Sequence, residues 1–578
     1  MSAVQRDNAD GFLRRKKRLG DLLIEENVIN QEQLQKALEA QKTEKKKLGT
    51  LLVDLGFTNE GEIAQALHKQ LGYDIIQISS VRISDEILRL VPDSAVLKRY
   101  VMMPFEFDKG GRLRVAMENP MDIFAIEDLN IITNTPIMPV IATPFEIMQT
   151  IDKYYGNREA QAMAEQFNKE REGQEKKEEV VEASDNSVNN APIVILVKTI
   201  IEQAVRLRAS DIHIEPLETK IRVRFRVDGA LQEAGNYPLN MLSALTARIK
   251  IIGGMDISEK RKPQDGRITQ VVDGMEYDIR VSLLPTVYGE KTVMRLAAKT
   301  NLTRDKKLLG FSDEEMVKFD RLLSNPHGII LVTGPTGSGK STTLYTALSE
   351  LNKEDVNIIT VEDPVEANIN GINQVHVNPK ADLTFASALR SILRQDPDII
   401  MIGEIRDSET ANIAVTASIT GHLVVSTLHT NSAASSITRL IDMGIEPYLI
   451  ADSTVGVIAQ RLVRRLCKCK LPHELSDYDC QFLEVDPKAP PLVYKPNGCP
   501  NCNETGYRGR IGVYEILPIS SKLRSIISRN SNAEEIQEQA LAEGMQTLKM
   551  SAKSLVLKGI TSVDEMRRIA YSNDEEEK

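Results

Sequence analysis

The chain has 578 residues, a formal net charge of −10 and 4% aromatic residues, none of them tryptophan. This length predicts about three to five domains, and the acidic balance with few aromatic side chains argues against a protein that binds nucleic acid. The apolar runs are far shorter than the roughly 20 residues that cross a bilayer, and the basic N-terminus lacks an apolar signal core. We therefore expect a globular, cytoplasmic protein.

Two similar segments stand near the N-terminus. Residues 18–41 are echoed by residues 47–70. Each segment predicts a helix, a tight turn and a second helix, because Asn27 and its counterpart Gly56 suit the left-handed position that ends a helix. Two copies of a structural helix pair and a ligand-binding module are both compatible with this pattern. Residues 74–155 predict a mixed α/β segment.

A charged segment, 156–190, contains almost no aromatic residues and no strand pattern, which is typical of a flexible linker. A helix is predicted to follow from about Pro192 to Leu207, and strands with alternating apolar residues come next.

One of these strands carries Asp211, His213 and Glu215 on the face opposite to its isoleucines, with Ser210 beside them. A hydrolytic triad is one interpretation, but alternation on a solvated strand face explains these residues better.

The stretch "GPTGSGKSTT" begins at Gly334, directly after an apolar run. Its glycines let backbone N–H groups converge on an anion, Lys340 can reach the β- and γ-phosphates, and the Ser341 hydroxyl can ligate Mg²⁺. A glycine-rich turn before a helix is the alternative, but it does not account for the strand in front and the helix behind. We therefore predict that a nucleoside triphosphate is bound by Gly334, Pro335, Thr336, Gly337, Ser338, Gly339, Lys340, Ser341 and Thr342.

Short apolar runs alternate with helical stretches after residue 305, which predicts a parallel sheet with its ligands at the carboxyl edge. Polar residues flank three of these runs, and they are Glu362, Asp363, Glu366, Glu404, His422 and His429. Hydrolysis of a phosphoanhydride needs a Mg²⁺ ligand shell, a group that acts on the attacking water and a contact to the departing phosphate. We expect two of the acids and a histidine to supply these groups.

Four of the five cysteines form two groups, Cys467 with Cys469 and Cys499 with Cys502. The second pair has C-x₂-C spacing within glycine-rich turns, which predicts a structural zinc site. The first pair has C-x-C spacing, and Cys480 between the groups is an unlikely substitute ligand.

The order of the blocks "GPTGSGKST", "VEDPVE", "LRQDPDIIMIGEIRDSETA" and "TGHLVVSTLHTNSA" resembles the ATPases that drive type II secretion and type IV pilus assembly. "ASDIHIEP", "KPQDGRI" and "VSLLPTVYGEKTVMRL" extend the resemblance over roughly 190–570. It implies a RecA-like motor domain joined to a PAS-like domain, assembled as a hexamer that binds ATP and Mg²⁺.

The resemblance also implies roles for individual residues. It makes Glu366 the general base and Glu404 the Walker B acid, and it places His422 and His429 in a histidine motif. It further implies that Arg267 and Arg280 reach the nucleotide.

The N-terminal repeat resembles the cyclic di-GMP-binding domain that precedes some assembly ATPases. In that domain the matching positions line the dinucleotide, and here they are Arg18, Leu19, Gly20, Leu48 and Gly49. Two positions depart from the pattern, because Asn27 replaces a glycine and Lys47 stands where the first unit has an arginine.

The sequence predicts an α/β multidomain ATPase, and the resemblance implies a motor that assembles a pilus or a secretion pseudopilus, docked peripherally on an inner-membrane platform protein. We expect a regulatory domain at 1–155, a linker at 156–190, a PAS-like subdomain at 191–300 and a RecA-like domain at 305–578. The last of these contains the cysteine knuckle at 467–502.

The alternative functions are a pilus retraction motor, a DNA-transfer ATPase and a cyclic di-GMP receptor that docks to the machinery without hydrolysing ATP. Retraction ATPases lack the cysteine knuckle and the N-terminal module, and the intact Lys340, Glu366 and Glu404 argue against a receptor that does not hydrolyse ATP.

Overall fold

The structure is a computed structural model that describes residues 18–43, 47–155, 192–298 and 305–574. The predicted linker, 156–190, lies outside the described residues. Contacts divide the chain into two compact units, Met1–Leu296 and Ala297–Lys578.

Four helices open the first unit, and they are α1 (Leu19–Glu25), α2 (Gln31–Thr43), α3 (Leu48–Asp54) and α4 (Glu60–Leu71). Helix α1 packs against α4, and α2 packs against α3. A Cβ atom at Gly20 would lie 2.7 Å from Leu34 Cδ1, and one at Gly49 would lie 3.2 Å from Ile63 Cγ2. Both glycines therefore allow a close approach of helices that a larger residue would disturb.

The turns within the two helix pairs are left-handed. Asn27 has a φ of 55° and Gly56 a φ of 72°. Asn59 and Glu62 form a capping box at the start of α4, which supplies acceptors for backbone N–H groups that have no partner within the helix.

A three-stranded sheet with helices follows in the same unit. Strand β1 is antiparallel to β2, and β2 is parallel to β3. The elements are α5 (Asp85–Leu90), α6 (Ala95–Tyr100), β1 (Met102–Phe107), β2 (Leu113–Met117), α7 (Ile123–Thr133), β3 (Ile137–Ile141) and α8 (144–155).

A six-stranded sheet completes the first unit, in the order β6-β5-β4-β9-β8-β7. Its elements are α9 (Pro192–Arg206), β4 (Ala209–Pro216), β5 (Lys220–Val227), β6 (Ala230–Pro238), α10 (Leu242–Ile252), β7 (Gln264–Val272), β8 (Met275–Thr286) and β9 (Gly289–Ala298). The isoleucines of β4 pack in the core with α9 and α10, as their alternation predicts.

The opposite face of β4 differs from the prediction. Asp211 and Glu215 are both buried, because basic side chains of neighbouring strands cover them. Glu215 accepts hydrogen bonds from Arg224 at 2.7 Å and from Arg222 at 3.1 Å. The prediction of a solvated face is therefore wrong, and the acidic residues belong to a layer of ion pairs.

The second unit is built on a seven-stranded sheet with the order β12-β11-β13-β14-β10-β15-β18. Its strands are parallel except for the antiparallel pair β15 and β18. They are β10 (Gly328–Thr333), β11 (Ile358–Glu362), β12 (Asn373–His376), β13 (Ile399–Ile402), β14 (Leu423–Leu428), β15 (Thr454–Leu466) and β18 (Tyr507–Pro518). The predicted parallel α/β sheet is confirmed.

Helices cover this sheet, and a short pair of strands, β16 (Leu471–His473) and β17 (Val493–Lys495), lies between β15 and β18 in the chain. The helices are α11 (Asp313–Leu323), α12 (Lys340–Leu351), α13 (Phe385–Ile392), α14 (Ser408–Ile419), α15 (Ala433–Asp442), α16 (Pro447–Ser453), α17 (Asp477–Leu483), α18 (Ser521–Ile527), α19 (Ala533–Ala542), α20 (Leu548–Leu557) and α21 (Val563–Asp574). Within the described ranges, no helix is both long and apolar enough to cross a membrane.

Candidate nucleotide and metal sites

The phosphate loop joins the end of β10 to the start of α12. Gly334, Gly337 and Gly339 all have positive φ, at 148°, 81° and 92°. A Cβ atom at Gly334 would lie only 2.4 Å from Gln460 O, so this position excludes larger residues. The Ser338 hydroxyl is buried and has no hydrogen-bond partner among the described residues. Glycine backbone and a buried polar atom without a partner are what an anion-binding loop provides.

The Lys340 ammonium group lies against this loop. Its Nζ donates to Gly334 O at 2.7 Å and to Pro335 O at 3.2 Å. Burial lowers the pKa of Lys340 to about 8, while the charges of Glu404 and Glu366 act in the opposite direction. The structure thus brings the lysine within electrostatic reach of both predicted acids.

Glu404 follows β13, and His429 follows β14. These strands are parallel neighbours, so their carboxyl ends meet, and His429 Nε2 lies 3.4 Å from Glu404 Oε2. Arg406 forms an ion pair with the same carboxylate. Burial and the charge of Lys340 lower the pKa of His429, while the charge of Glu404 acts in the opposite direction.

Glu362, the last residue of β11, and Glu366, which follows the strand, have different surroundings. Glu362 is buried and accepts hydrogen bonds from Tyr345, from Thr360 Oγ1 at 2.6 Å and from Gln374 Nε2 at 3.1 Å. Glu366 is exposed, and its backbone N–H, not its carboxylate, donates to the Tyr345 hydroxyl at 3.1 Å. The carboxylate of Glu362 is therefore occupied by hydrogen bonds within the protein, whereas the side chain of Glu366 is exposed to solvent.

His422 lies at the other edge of the sheet. It precedes β14, its backbone carbonyl accepts from Gly328 N at 3.1 Å, and its Nδ1 lies 2.8 Å from Ala417 O. Gly328 begins β10, whereas the phosphate loop follows the end of that strand. Of the two histidines in the predicted histidine motif, His429 therefore lies at the edge of the sheet that carries the phosphate loop, and His422 lies at the opposite edge.

Sequence reasoning missed two buried residues beside the phosphate loop. Gln460 and Arg461 lie on β15, which continues past the end of β10. The Gln460 amide accepts from Thr343 Oγ1 at 2.8 Å, and Arg461 Nη2 donates to Asn431 Oδ1 at 2.7 Å. A polar pair within the apolar run "VGVIAQRLV" was the signal that could have indicated them.

Arg267 and Arg280 belong to the first unit. They face each other across β7 and β8, and Arg267 Nη2 donates to Asp278 Oδ2 at 2.8 Å. Like charges directly opposite each other destabilise a sheet, so Asp278 offsets part of this repulsion.

The four grouped cysteines come together. Their sulfur atoms all lie within 4.8 Å of one another, with separations of 3.8 Å for Cys467 and Cys499, 3.9 Å for Cys469 and Cys502, and 3.7 Å for Cys499 and Cys502. A tetrahedron with zinc–sulfur bonds of about 2.3 Å has edges of about 3.8 Å. The backbone N–H groups of Cys499 and Gly506 point to Cys502 Sγ at 3.2 and 3.1 Å, as is favourable for a thiolate. These residues fit a zinc ion, and the C-x-C spacing does not prevent the geometry.

The N-terminal residues predicted to bind a dinucleotide lie at corresponding places on α1 and α3. Arg18 and Lys47 are the residues just before these helices, and Lys47 Nζ forms an ion pair with Glu118 at 2.9 Å. Gly20 and Gly49 contact the helices that follow them, which gives both glycines a packing role.

Most of the chain matches known protein families. The sequence model of the family "Type II/IV secretion system protein" matches residues 186–568, and that of the MshEN domain matches residues 71–161. The latter range begins at the last residue of α4 and so leaves out nearly all of the two helix pairs.

The chain is similar to the type IV pilus assembly ATPase PilB of Myxococcus xanthus, with 44% identity over 95% of this chain and 98% of that protein. It is also similar to the type II secretion system protein E of Xanthomonas campestris, with 44% identity over 82% of this chain and 83% of that protein. The solved structure of the Legionella pneumophila ATPase DotB covers 65% of this chain and 96% of its own, with a TM-score of 0.50 and 22% identity, which supports a RecA-like ATPase fold. The family match and these relatives together show that the chain belongs to the type II/IV secretion system protein family and is an ATPase.

Proposed function

We propose that this ATPase is a motor that assembles a type IV pilus or the pseudopilus of a type II secretion system. The observation that carries the proposal is the meeting of Lys340, Glu404 and His429 at one sheet edge in a chain that matches a pilus assembly ATPase over nearly its whole length. A DNA-transfer ATPase of the same superfamily is the second candidate, and the net charge of −10 argues against it.

The residues at this edge are proposed to have separate roles in the binding and hydrolysis of ATP. Lys340 would exchange its carbonyl partners in the loop for the β- and γ-phosphates of ATP, and Ser341 would hold Mg²⁺. When bound, Mg²⁺ would neutralise charge that develops on the phosphates. Glu404 would help to hold the metal, and His429 would donate a hydrogen bond to the γ-phosphate.

Glu366 is the proposed general base. It is the glutamate after β11 that is exposed, whereas Glu362 already accepts three hydrogen bonds. A base needs a free carboxylate within reach of the attacking water, and this comparison favours Glu366.

Residues 191–300 are proposed to form a PAS-like subdomain. Arg267 and Arg280 in this subdomain are proposed to be nucleotide-binding arginines, as the resemblance implies. Two facing arginines are costly within a sheet, and a polyphosphate ligand would offset that cost.

We further propose that six chains form a ring on the cytoplasmic side of the inner membrane, where ATP hydrolysis moves a platform protein. A replacement of Lys340 by alanine in the bacterium that carries this gene tests the motor role. We expect loss of surface pili or of a secreted substrate at an unchanged level of the ATPase, because the triphosphate is no longer held. Light scattering of the purified chain with an ATP analogue measures the molar mass of the assembly and so the number of chains in it.

Normal assembly by the Lys340→Ala strain would contradict the motor role. Lys353→Ala is a suitable control, since this exposed lysine lies beyond the end of α12, and it is expected to leave assembly intact.

The N-terminal domain, 1–155, is proposed to be regulatory. Its segments 18–41 and 47–70 are interpreted as two copies of one helical unit, because Gly20 and Gly49 contact matching residues, Leu34 and Ile63. The MshEN match is of a cyclic di-GMP-binding type, which supports this ligand for the domain.

Cyclic di-GMP is expected to bind the full chain with Arg18 contacting a phosphate. Arg18→Ala should weaken the binding by about 1.5–3 kcal/mol, the scale of a charge-assisted hydrogen bond. Isothermal titration of the full chain measures this, with Arg89→Ala on an exposed position of α5 as the control. If the parent binds the dinucleotide and Arg18→Ala binds equally well, the ligand lies elsewhere, such as within the MshEN match at 71–161.

A further inference from the structure

Arg461 occupies an unusual place for a charged side chain. It is only 6% exposed, and it stands on β15 beyond the point where the parallel pairing with β10 ends. A buried guanidinium group requires hydrogen-bond partners on several sides. These partners show what the residue holds in place.

One partner is the loop that follows His429. Arg461 Nη2 donates to Asn431 Oδ1 at 2.7 Å and to Asn431 O at 3.3 Å. The same loop is joined to the last residue of β10, since Thr430 N donates to Thr333 Oγ1 at 2.9 Å. The loop is thus fixed from two directions, and both contacts lie within two residues of His429.

Another neighbour is the first glycine of the phosphate loop. A Cβ atom at Gly334 would lie 3.2 Å from Arg461 Nη1, so the guanidinium group lies directly behind this turn. Its charge also acts on Lys340. Arg461 therefore contacts the histidine loop and the phosphate loop together.

A buried carboxylate, Glu515, acts electrostatically on Arg461. Glu515 lies on β18 and accepts from Ala433 N at 2.7 Å and from Leu548 N at 3.3 Å. Glu515 thereby fixes the first turn of α15, the helix that follows the histidine loop. A buried charged group with hydrogen bonds to one loop and a close approach to another is suited to keep the two loops together.

We propose that Arg461 is a positioning residue for ATP hydrolysis, which locks the loop of His429 to Asn431 against the Gly334 turn. His429 and Glu404 then keep their distance from Lys340 during the reaction. This inference depends on the proposed roles of Glu404 and His429. It assigns a function to a residue that does not belong to the phosphate loop or to the strand ends.

Steady-state kinetics of the full chain test the proposal. Arg461→Met is expected to lower kcat by about tenfold to a hundredfold, the effect of a misplaced reacting group, with KM for ATP changed less than about threefold. Arg461→Lys should recover only part of kcat, because an ammonium group cannot make the two directed bonds to Asn431. Arg464→Met is the control, since Arg464 lies on the same strand but pairs with Glu565 at 2.7 Å.

A double-mutant cycle separates positioning from simple stability. Asn431→Ala should lower kcat to a similar degree, and the Arg461→Met/Asn431→Ala double variant should be no slower than the slower single variant. Asn431 is partly exposed, so its variant carries the test if Arg461→Met does not fold.

Three results would overturn the inference: a kcat equal to that of the Arg464 control, an increase in KM alone, or additive effects of the two substitutions. His429→Ala distinguishes this failure from a wider one. If His429→Ala lowers kcat while the Arg461 variants do not, only the positioning role is lost. If His429→Ala also leaves kcat unchanged, the proposed role of His429 is wrong as well.

Discussion

Replacement of Glu366 or Glu404 by glutamine should reduce ATP turnover by about a hundredfold or more while ATP remains bound. Glutamine keeps the size of each side chain but removes the negative charge that accepts a proton or orients the metal ligands. The phosphate loop and Lys340 are unchanged, so binding of a fluorescent ATP analogue should stay within about threefold of the parent. Single-turnover measurements separate the loss of chemistry from a loss of binding.

The control for this prediction is Glu409→Gln. Glu409 pairs with Arg390 and is 58% exposed, and its loss should change neither turnover nor binding, since surface ion pairs contribute little. Near-normal turnover of Glu366→Gln would show that another group is the base. Equal loss of ATP binding and turnover in Glu404→Gln would show that its carboxylate acts on binding and not on the chemical step.

Glu362→Gln at the end of β11 gives a contrast with Glu366→Gln in the segment that follows. A glutamine has one acceptor oxygen and an NH₂ group, so it cannot accept from Tyr345, Thr360 and Gln374 in the way that the carboxylate does. We expect a lower thermal stability for this variant, as for other disrupted buried networks, in addition to any effect on turnover.

Zinc is expected to copurify at about one ion per chain with tetrahedral sulfur ligation. Cys499→Ser and Cys502→Ser should each lose the metal and lower the apparent melting temperature by about 4 °C or more, because metal binding energy is part of folding energy. The cluster joins the chain after β15 to the chain before β18, so its loss should loosen this antiparallel pair. Metal analysis and thermal unfolding with and without a chelator measure both effects.

Cys480→Ala is the matched control. Cys480 is also buried, but its sulfur is not one of the four that lie together, so this variant should keep the full zinc content. A parent protein without zinc and with normal stability would mean that the four cysteines are simple core residues. Zinc retained by Cys499→Ser would point to a substitute ligand.

The sequence by itself determined the nucleotide site and the sheet that carries it. The spacing of Gly334, Gly339, Lys340 and Ser341 defines a phosphate loop, because each residue acts through its own backbone or a short side chain. Alternating apolar runs and helices also define a parallel sheet, since both periods are local properties of the chain. From these two facts the meeting of Glu404 and His429 follows, because parallel strands end at one edge.

Only the tertiary structure decided which side chains at that edge are available. Glu362 and Glu366 are close together in the same acidic block, but Tyr345 and Gln374 hydrogen-bond to the first carboxylate and leave the second exposed. His422 and His429 lie at opposite ends of β14, so they are at opposite edges of the sheet, and the second is at the edge with the phosphate loop.

Arg461 is the clearest example of a residue whose role could not be predicted from the sequence. Its partner Asn431 is thirty residues away in the chain, and the contact exists because β15 lies beside β10 and extends past it. The same holds for the cysteines, whose C-x-C spacing gives no geometry until β15 and β18 bring the two pairs together. Local patterns follow from the chain alone, whereas the partners of a buried polar group depend on which distant strands become neighbours.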